Sequence, residues 1–234
     1  MSAAQIKREV GALADPVQAK ELQRFFKTGP GDYGEGDVFV GVKVPPLRKI
    51  AKGHRDEPLA QIEKLLVSRT HEHRTVALVI LTEQAARADL PERRRLYDFY
   101  LAHTDRINNW DLVDISCREV VGGYLLAAGD WSPLQELAAS DDLWERRIAM
   151  VSTWQFIRAG QLEPTFALAT MLIDDDHDLM HKAVGWMLRE AGKKDEARLD
   201  QFLAQHAARM PRTALRYSIE RMPPEKREHW RKMK

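Results

Sequence analysis

The most constraining feature of the sequence is a charged position that recurs every 30 to 37 residues. The five positions are Arg74, Asp111, Arg147, Lys182 and Arg212. Apolar residues around each position are spaced three or four apart, as on one face of an α-helix, and no segment alternates as a strand does. Periods of this size are typical of helical repeats, in which each pair of helices stacks on the next.

Proline and glycine mark the predicted ends of these helices. Prolines stand where helices should begin, because their fixed φ and missing N–H cost little in the first turn. Gly129, Gly160 and Gly192 follow apolar-periodic stretches, where a left-handed C-terminal residue is expected. We therefore predict an all-α fold of HEAT-like helix pairs, a single domain over residues 1–234. The second helices of the pairs should line a concave basic groove.

One segment, residues 28–44, departs from the helical pattern and holds five glycines. It contains no GxxxxGK[ST] sequence, so a P-loop is not supported, although cradling of a phosphate stays open as an alternative. We interpret the segment as a structured connector whose glycines adopt positive φ. At the other end of the chain, residues 224–234 form a basic C-terminal segment.

Composition limits the classes of protein and partner. The chain has a formal net charge of +1, which is far from that of a strongly basic nucleic-acid binder, so any DNA-binding charge must be gathered on one face. No apolar run approaches the roughly 20 residues of a membrane span. The N-terminal residues lack the apolar core of a signal peptide. With Cys117 as its single cysteine, the chain is expected in the reducing cytoplasm.

The segment NNWDLVD, residues 108–114, places an aromatic and an acidic side chain on one helical face. One of its two asparagines is the expected N-cap. Trp110 and Asp114 are then i and i+4, with Arg118 one turn further. Three simpler interpretations stay open: core packing for Trp110, an ion pair with Arg118 for Asp114, and stabilisation of the helix start for Asp111.

A second segment, HKAVGWMLRE, begins at residue 181 and carries a stripe of cations and tryptophan. Its members, at i, i+4, i+7 and i+11, are Lys182, Trp186, Arg189 and Lys193. Further residues of the same style are Arg147, Trp154, Arg158, Arg212 and Arg216. Lys and Arg rarely bury unpaired, so such a stripe favours a groove for a phosphate backbone. The alternative is a solvated charged face.

Metal and nucleophile sites are weakly supported. Asp174, His177 and His181 have a spacing that could present three ligands, yet acidic residues are favoured at a helix start in any case. Cys117 has no histidine three or four residues away, so we interpret it as a small buried hydrophobe. We predict neither a metal nor a cofactor.

The two tryptophan segments, together with FFKTGPGDYGEGDVFVGVKVPPLRKIAK, resemble the AlkD-like DNA alkylation repair glycosylases over roughly residues 20–220. The resemblance implies a HEAT-like solenoid that removes positively charged purines, such as 3-methyladenine and 7-methylguanine, from duplex DNA. It implies catalytic roles for Trp110, Asp114 and Trp186 and a DNA-backbone contact for Arg147. The sequence departs from some members at Phe25, where they carry a tyrosine near the DNA.

The resemblance also implies how the site works. The lesion's deoxyribose meets the concave surface, and the base needs no deep pocket. An oxocarbenium-like transition state needs negative charge and aromatic faces nearby, which Asp114 and the two tryptophans would supply. We expect a monofunctional, monomeric enzyme of base excision repair, with alkylated double-stranded DNA as partner and no membrane partner. Lys182, Arg189, Arg212 and Arg216 are the further predicted DNA contacts. Arg74, at the first recurring charged position, is also expected to be suited to holding phosphate.

Two alternatives remain. One is a non-catalytic HEAT-like protein that binds damaged or branched DNA and does not depend on Asp114. The other is a HEAT-type protein-interaction scaffold, which needs no basic groove. The intact set of Trp110, Asp114 and Trp186 favours the glycosylase over the first alternative. The cationic and aromatic stripes favour DNA over the second.

Overall fold

A computed structural model describes residues 2–233; the first and last residues of the predicted domain lie outside the described residues. The chain folds into α-helices, and over residues 2–233 the only β-type pairing is an isolated bridge between Val38 and Thr70. In that same range no helix has the length and apolar character needed to cross a membrane. The prediction of an all-α fold of stacked helix pairs is confirmed, whereas the concave basic groove stays a prediction.

The helices fall into two compact units, one ending at Val120 and the other starting at Val121. The first unit contains α1 (Ala3–Gly11), α2 (Pro16–Phe25), α3 (Val44–Gly53), α4 (Leu59–Leu66), α5 (His71–Arg87), α6 (Leu90–Leu101) and α7 (Trp110–Cys117). Helix α5 is its centre and contacts α1, α3, α4, α6 and α7. Because α5 is covered on several sides, apolar residues are buried along most of its length.

The second unit is a regular stack of helix pairs. It contains α8 (Gly123–Ala128), α9 (Ser132–Ala138), α10 (Leu143–Arg158), α11 (Glu163–Met171), α12 (Asp178–Gly192), α13 (Glu196–His206), α14 (Arg212–Ser218) and α15 (Pro224–Lys232). The longer helices α10 and α12 contact each other, and α12 contacts α14 in turn. The shorter helices α9 and α11 also contact each other. Each pair thus buries its apolar face against the next pair.

The recurring charged positions have a common place in this arrangement. They lie within the first five residues of α5, α7, α10, α12 and α14. The sequence period therefore reports the start of one helix in each repeat. The prolines also stand at helix starts, in the first two positions of α2, α6, α9, α11 and α15, and at the N-caps of α4 and α14.

Two of the three predicted glycine C-termini are confirmed. Gly129 and Gly160 follow their helices with φ of 74° and 80°. The prediction for Gly192 is wrong, because it is the last residue within α12 and has no positive φ. A Cβ at Gly192 would lie 2.3 Å from Leu199 Cδ2, so glycine is present there for the close approach of α13.

The glycine-rich segment is a structured connector between α2 and α3, as predicted. Gly31, Gly36 and Gly41 have positive φ. The buried carboxylate of Glu72 accepts hydrogen bonds from the backbone N–H groups of Val40, Gly41 and Val42 at 2.8–3.2 Å. These three N–H groups, the kind that would cradle a phosphate, are therefore satisfied by the protein itself.

After α7 ends at Cys117, the chain continues without a loop through a π-helical turn, Arg118–Gly122, into α8. A Cβ at Gly122 would lie 2.3 Å from the carbonyl oxygen of Ser152 in α10, so only glycine permits this approach. The wide turn begins one turn after Asp114, and such turns occur often at functional sites.

Candidate active site

Helix α7 presents the predicted acidic and aromatic pair on one face. Trp110 is the first residue of α7, and Asp114 lies one turn later on the same face; both side chains are half-buried. Asn109 is the N-cap, as the sequence suggested, although its side chain makes no capping hydrogen bond. The helix start therefore depends on other contacts for its position.

An aromatic stack holds the Trp110 ring. Phe26 lies against Trp110 with ring centroids 5.4 Å apart and planes at 27°, and Phe39 stacks on Phe26 at 5.1 Å. Phe25 meets Trp110 edge-on at 6.1 Å and is 64% exposed. Stacking of this kind contributes about 0.5–1.5 kcal/mol per pair beyond area burial. Trp110 is thus fixed on one side, while Phe25 extends the aromatic surface to solvent.

A chain of ion pairs runs beneath this stack to the start of α7. His71, the first residue of α5, places Nδ1 3.0 Å from Asp37 Oδ2 and Nε2 2.8 Å from Asp111 Oδ2. Arg74 Nη2 donates to the other oxygen of Asp37 at 2.6 Å. His71, Arg74 and Asp37 are buried, and Asp111 is nearly so. We call these four residues the His71 network.

The charges in the His71 network stabilise one another. Burial opposes the charged form of His71, but the charge of Asp111 and hydrogen bonds to Asp111 and Asp37 outweigh it and raise the pKa of His71 to about 9. Burial also opposes ionisation of Asp37, yet hydrogen bonds from His71 and Arg74 and their charges lower its pKa. At neutral pH His71 is therefore an imidazolium that donates from both ring nitrogens.

The opposite side of α7 is apolar except for one hydroxyl pair. Tyr100 is fully buried, and its hydroxyl lies 2.9 Å from Ser116 Oγ. Burial raises the pKa of Tyr100 well above 10, and electrostatic repulsion from Asp114, and from Cys117 once its thiol is ionised, acts in the same direction. Tyr100 is consequently a neutral hydrogen-bonding group. Cys117 is buried, as predicted.

In the second unit, Trp186 lies half-buried in the middle of α12. Its ring centroid is 5.9 Å from that of Trp154 in α10, with the planes tilted by 48°. The preceding residue, Gly185, lets α14 approach closely, because a Cβ there would be 2.5 Å from the carbonyl oxygen of Ala214. The backbone that carries Trp186 is therefore packed tightly against α14.

Two of the predicted DNA contacts on α12 are engaged in ion pairs. Lys182 Nζ is 2.7 Å from Asp178 Oδ2. Arg189 pairs with Glu220 and lies 3.3 Å from Glu190 Oε1. A phosphate at either position would have to compete with these carboxylates. The Lys182 pair is exposed and therefore weak, whereas the Arg189 side chain is only 18% exposed. Both residues stay predictions as DNA contacts.

The predicted arginines differ in exposure. Arg147 is buried, and its Nη1 donates to the carbonyl oxygen of Leu179 at 2.5 Å, which joins α10 to the first turn of α12. Arg212 and Arg216 are exposed on α14 and line a surface cleft together with Arg231. The expectation that Arg74 can hold phosphate is wrong, because Arg74 is buried and paired with Asp37.

The residues considered as metal ligands have other partners. His177 Nδ1 accepts from the backbone N–H of Leu179 and so caps α12. His181 hydrogen-bonds the carbonyl oxygen of Asp175. Over residues 2–233, no group of three or more His, Cys, Asp or Glu side chains is arranged to hold a metal ion.

Sequence reasoning missed the residues that support Trp110. Asp37 lies in a loop and His71 34 residues later, so their pairing leaves no local periodic signal. Phe26, at the end of α2, and Phe39, in the glycine-rich connector, likewise lie outside any periodic helical pattern. One signal was available: Asp111 is the only acidic member of the five recurring charged positions, and in the structure it is the one bonded to His71.

Comparison with known proteins agrees with this arrangement of helices. A solved structure described as a predicted DNA alkylation repair enzyme from Enterococcus faecalis superposes with a TM-score of 0.73 and 17% sequence identity. The match covers 90% of this chain and 97% of that one. At this identity the likeness defines the fold class, an all-helical repeat protein. No protein of curated function matches the sequence significantly.

Residues 6–222 match the family model described as DNA alkylation repair enzyme. Since the match spans nearly the whole chain, the protein belongs to the DNA alkylation repair enzyme family. Its role is therefore in alkylation repair, with DNA as the substrate.

Proposed function

We propose that the protein is a monofunctional DNA glycosylase that excises positively charged alkylated purines from duplex DNA. Its substrates would include 3-methyladenine and 7-methylguanine, and its products would be the free base and an abasic site. It would act as a monomer in the cytoplasm, in base excision repair. The observation that carries the proposal is the half-buried pair of Trp110 and Asp114 on one face of α7.

The chemistry requires little from the protein because the substrate is already activated. A methylated purine is cationic, so its N-glycosidic bond breaks toward an oxocarbenium-like sugar. A carboxylate nearby stabilises this developing charge. Asp114 would supply that charge and would orient the attacking water. No lysine nucleophile takes part, so the DNA strand should stay intact.

The two tryptophans would stabilise the cationic transition state through the faces of their indole rings. A cation is attracted to the face of an indole by roughly 0.5–2 kcal/mol. Trp110, held by Phe26, and Trp186, beside Trp154, are each half-buried and so keep part of their rings accessible. Both would pack against the lesion's sugar and backbone. Lys182, Arg189, Arg212 and Arg216 would contact phosphates along the strand. Arg147 is buried and would have to expose its guanidinium to make the same contact.

The test is release of bases from duplex DNA treated with a methylating agent. We expect free 3-methyladenine and 7-methylguanine, identified by mass spectrometry, well above spontaneous depurination. The DNA strand should break only after alkaline treatment of the abasic site. Base release that never exceeds the protein-free control would sink the enzyme proposal. Strand cleavage without alkali would refute the monofunctional class.

One observation favours a second candidate function. Lys182 and Arg189 pair with carboxylates, which suits a HEAT-type protein-interaction scaffold better than a phosphate groove. The two functions differ in DNA affinity. A glycosylase or a non-catalytic DNA binder should retain duplex DNA at low salt and lose affinity steeply as salt rises, whereas a scaffold should bind no DNA.

A further inference from the structure

His71 makes two hydrogen bonds that only its charged form can make together. Its two ring nitrogens face the acceptor oxygens of Asp37 and Asp111 at 3.0 and 2.8 Å. A neutral imidazole carries one N–H, so it could donate to one of these carboxylates and not to the other. The bridge between the glycine-rich connector and α7 therefore exists only while His71 is an imidazolium.

The bridge reaches Trp110 by two routes. Asp111 directly follows Trp110 in the first turn of α7, so the bond from His71 fixes the backbone that carries the tryptophan. The His71 ring also stacks on Phe39 at 4.4 Å and lies 5.2 Å from Phe26, which itself stacks on Trp110. Both the backbone and the ring plane of Trp110 are thus set from the same imidazolium.

Stability alone is a weak reason for such a network. It gathers two cations and two carboxylates in a part of the first unit that is largely closed to water. The desolvation of buried ion pairs often cancels their attraction, and well-packed apolar residues usually stabilise a fold equally well. Fixing one orientation of a helix start is a role that directional, charge-assisted bonds perform and apolar contacts do not.

We propose that His71 is a positioning residue for base excision: by bridging Asp37 and Asp111 it holds the first turn of α7, and with it Trp110 and Asp114, in the reactive geometry. The inference rests on the function proposed above. His71 touches neither base nor sugar, and it acts through Asp111 and Phe26.

The proposal predicts a loss of positioning at alkaline pH. The charged groups that face His71 are Asp37 in the connector, Asp111 on α7 and Arg74 on its own helix. Lys7 on α1 faces the neighbouring His73 instead. As the pH rises through about 9, His71 loses one N–H, and one of its two carboxylates loses its donor. The α7 start is then released without loss of any residue.

The experiment compares His71→Gln and His71→Arg with wild type in single-turnover base release. The glutamine variant should lose on the order of 10- to 100-fold in rate, while the Kd for DNA changes less than about threefold, because misplacement affects chemistry more than binding. The arginine variant keeps the charge and a forked donor, so it should recover most of the rate. It should also stay active above pH 9, where the wild-type rate falls.

The chain offers a matched control in His54. This histidine is also buried and also bridges two carboxylates, Glu9 at 3.1 Å and Glu57 at 3.3 Å, but neither carboxylate belongs to α7. His54→Gln should lower the melting temperature as His71→Gln does, yet leave the rate per folded molecule unchanged. Equal losses of rate in the two glutamine variants, with no rescue by arginine, would reduce His71 to a structural residue and overturn the proposal.

A readout without catalysis separates this proposal from the proposed function. The fluorescence of Trp110 is obtained by subtracting the spectrum of each matching Trp110→Phe variant. We expect it to change in wild type as the pH passes about 9, and to stay constant in His71→Arg. If the wild-type protein releases no base but shows this transition, the proposed glycosylase activity is refuted, while the role of His71 in positioning Trp110 is supported. Absence of the transition in wild type overturns the positioning itself.

Discussion

Glu72 shows how a single side chain can decide the conformation of a loop. Its buried carboxylate accepts from three consecutive N–H groups of the glycine-rich connector, and Asp37 anchors the same connector to His71 and Arg74. Without these acceptors the connector would bury unsatisfied donors, each at a cost of roughly 1–3 kcal/mol. The charged residues at the start of α5 therefore form hydrogen bonds with the connector and do not face solvent.

Substitution Glu72→Gln should destabilise the protein by about 2–4 kcal/mol, because hydrogen bonds to a charged acceptor contribute about 1.5–3 kcal/mol each and the amide retains one acceptor oxygen. Urea unfolding followed by circular dichroism measures the change. Glu83→Gln, on the same helix but partly exposed, is the control and should stay within about 0.5 kcal/mol of wild type. Similar effects of the two substitutions would contradict the role assigned to Glu72.

At this scale the sequence predicted the residues that share a helix and missed those that meet across the fold. Spacing of i and i+4 was enough to place Trp110 and Asp114 on one face of α7. It could not show that Asp111 bonds His71, 40 residues away, since pairing between a loop and two helix starts depends on tertiary packing. For the same reason the sequence could not show that Arg74 is buried and paired with Asp37.

At the scale of elements, glycines within helices report how closely neighbouring helices approach. Gly122, Gly185 and Gly192 each face an atom at 2.3–2.5 Å from where a Cβ would be. The sequence alone suggested a helix end at Gly192, because a C-terminal glycine and a close-packed glycine look alike in one chain. The close approach of α13 through Leu199 distinguishes the two.

The substitution Gly185→Ala should destabilise the second unit, since its Cβ would collide with backbone of α14 and with Tyr217 Cβ. Overpacking of this kind costs about 1–3 kcal/mol. Gly53→Ala, at the end of α3, meets nothing within 4 Å and serves as control; it should leave stability unchanged or raise it by up to about 1 kcal/mol. Thermal unfolding of both variants measures the difference, and a neutral Gly185→Ala would show that α12 and α14 are packed loosely.

At the scale of the whole molecule, the fold can be predicted from the 30- to 37-residue repeat in the sequence, whereas the candidate site cannot. Three sequence features were enough to predict stacked helix pairs: prolines at the starts of helices, glycines at their ends, and one charged position per repeat. All three depend on local conformation. The near-zero net charge gave no indication of where cations gather. Arg147 is buried and Arg212 is exposed at equivalent repeat positions, a difference that is set by packing.

Stability should depend on pH in a way that two neighbouring histidines determine. The pKa of His71 is raised to about 9, so its contribution is complete below pH 6.5 and is lost as the pH rises through 9. Burial, with the charge of Lys7, lowers the pKa of His73 to about 4, so its contribution is complete above pH 6.5 and is lost as the pH falls.

The free energy of unfolding should therefore be greatest near pH 6.5 and decline on both sides, by at most about 1.4 kcal/mol per pH unit for each group. Urea unfolding between pH 4 and pH 10 measures the profile. In His71→Gln the alkaline decline should disappear while the acid decline remains. An alkaline decline of equal slope in the variant would show that another group is responsible.

The proposed base excision depends on Asp114, one turn after Trp110, and one comparison tests this dependence most directly. It is the single-turnover rate of 7-methylguanine release at neutral pH, measured for wild type and Asp114→Asn at saturating protein. We expect the asparagine variant to bind the DNA normally and to lose at least about 100-fold in rate, the usual cost of removing an electrostatic contact to a transition state. Asp98→Asn, an exposed change of the same kind on α6, should keep the full rate. Equal rates for wild type and Asp114→Asn would contradict the account.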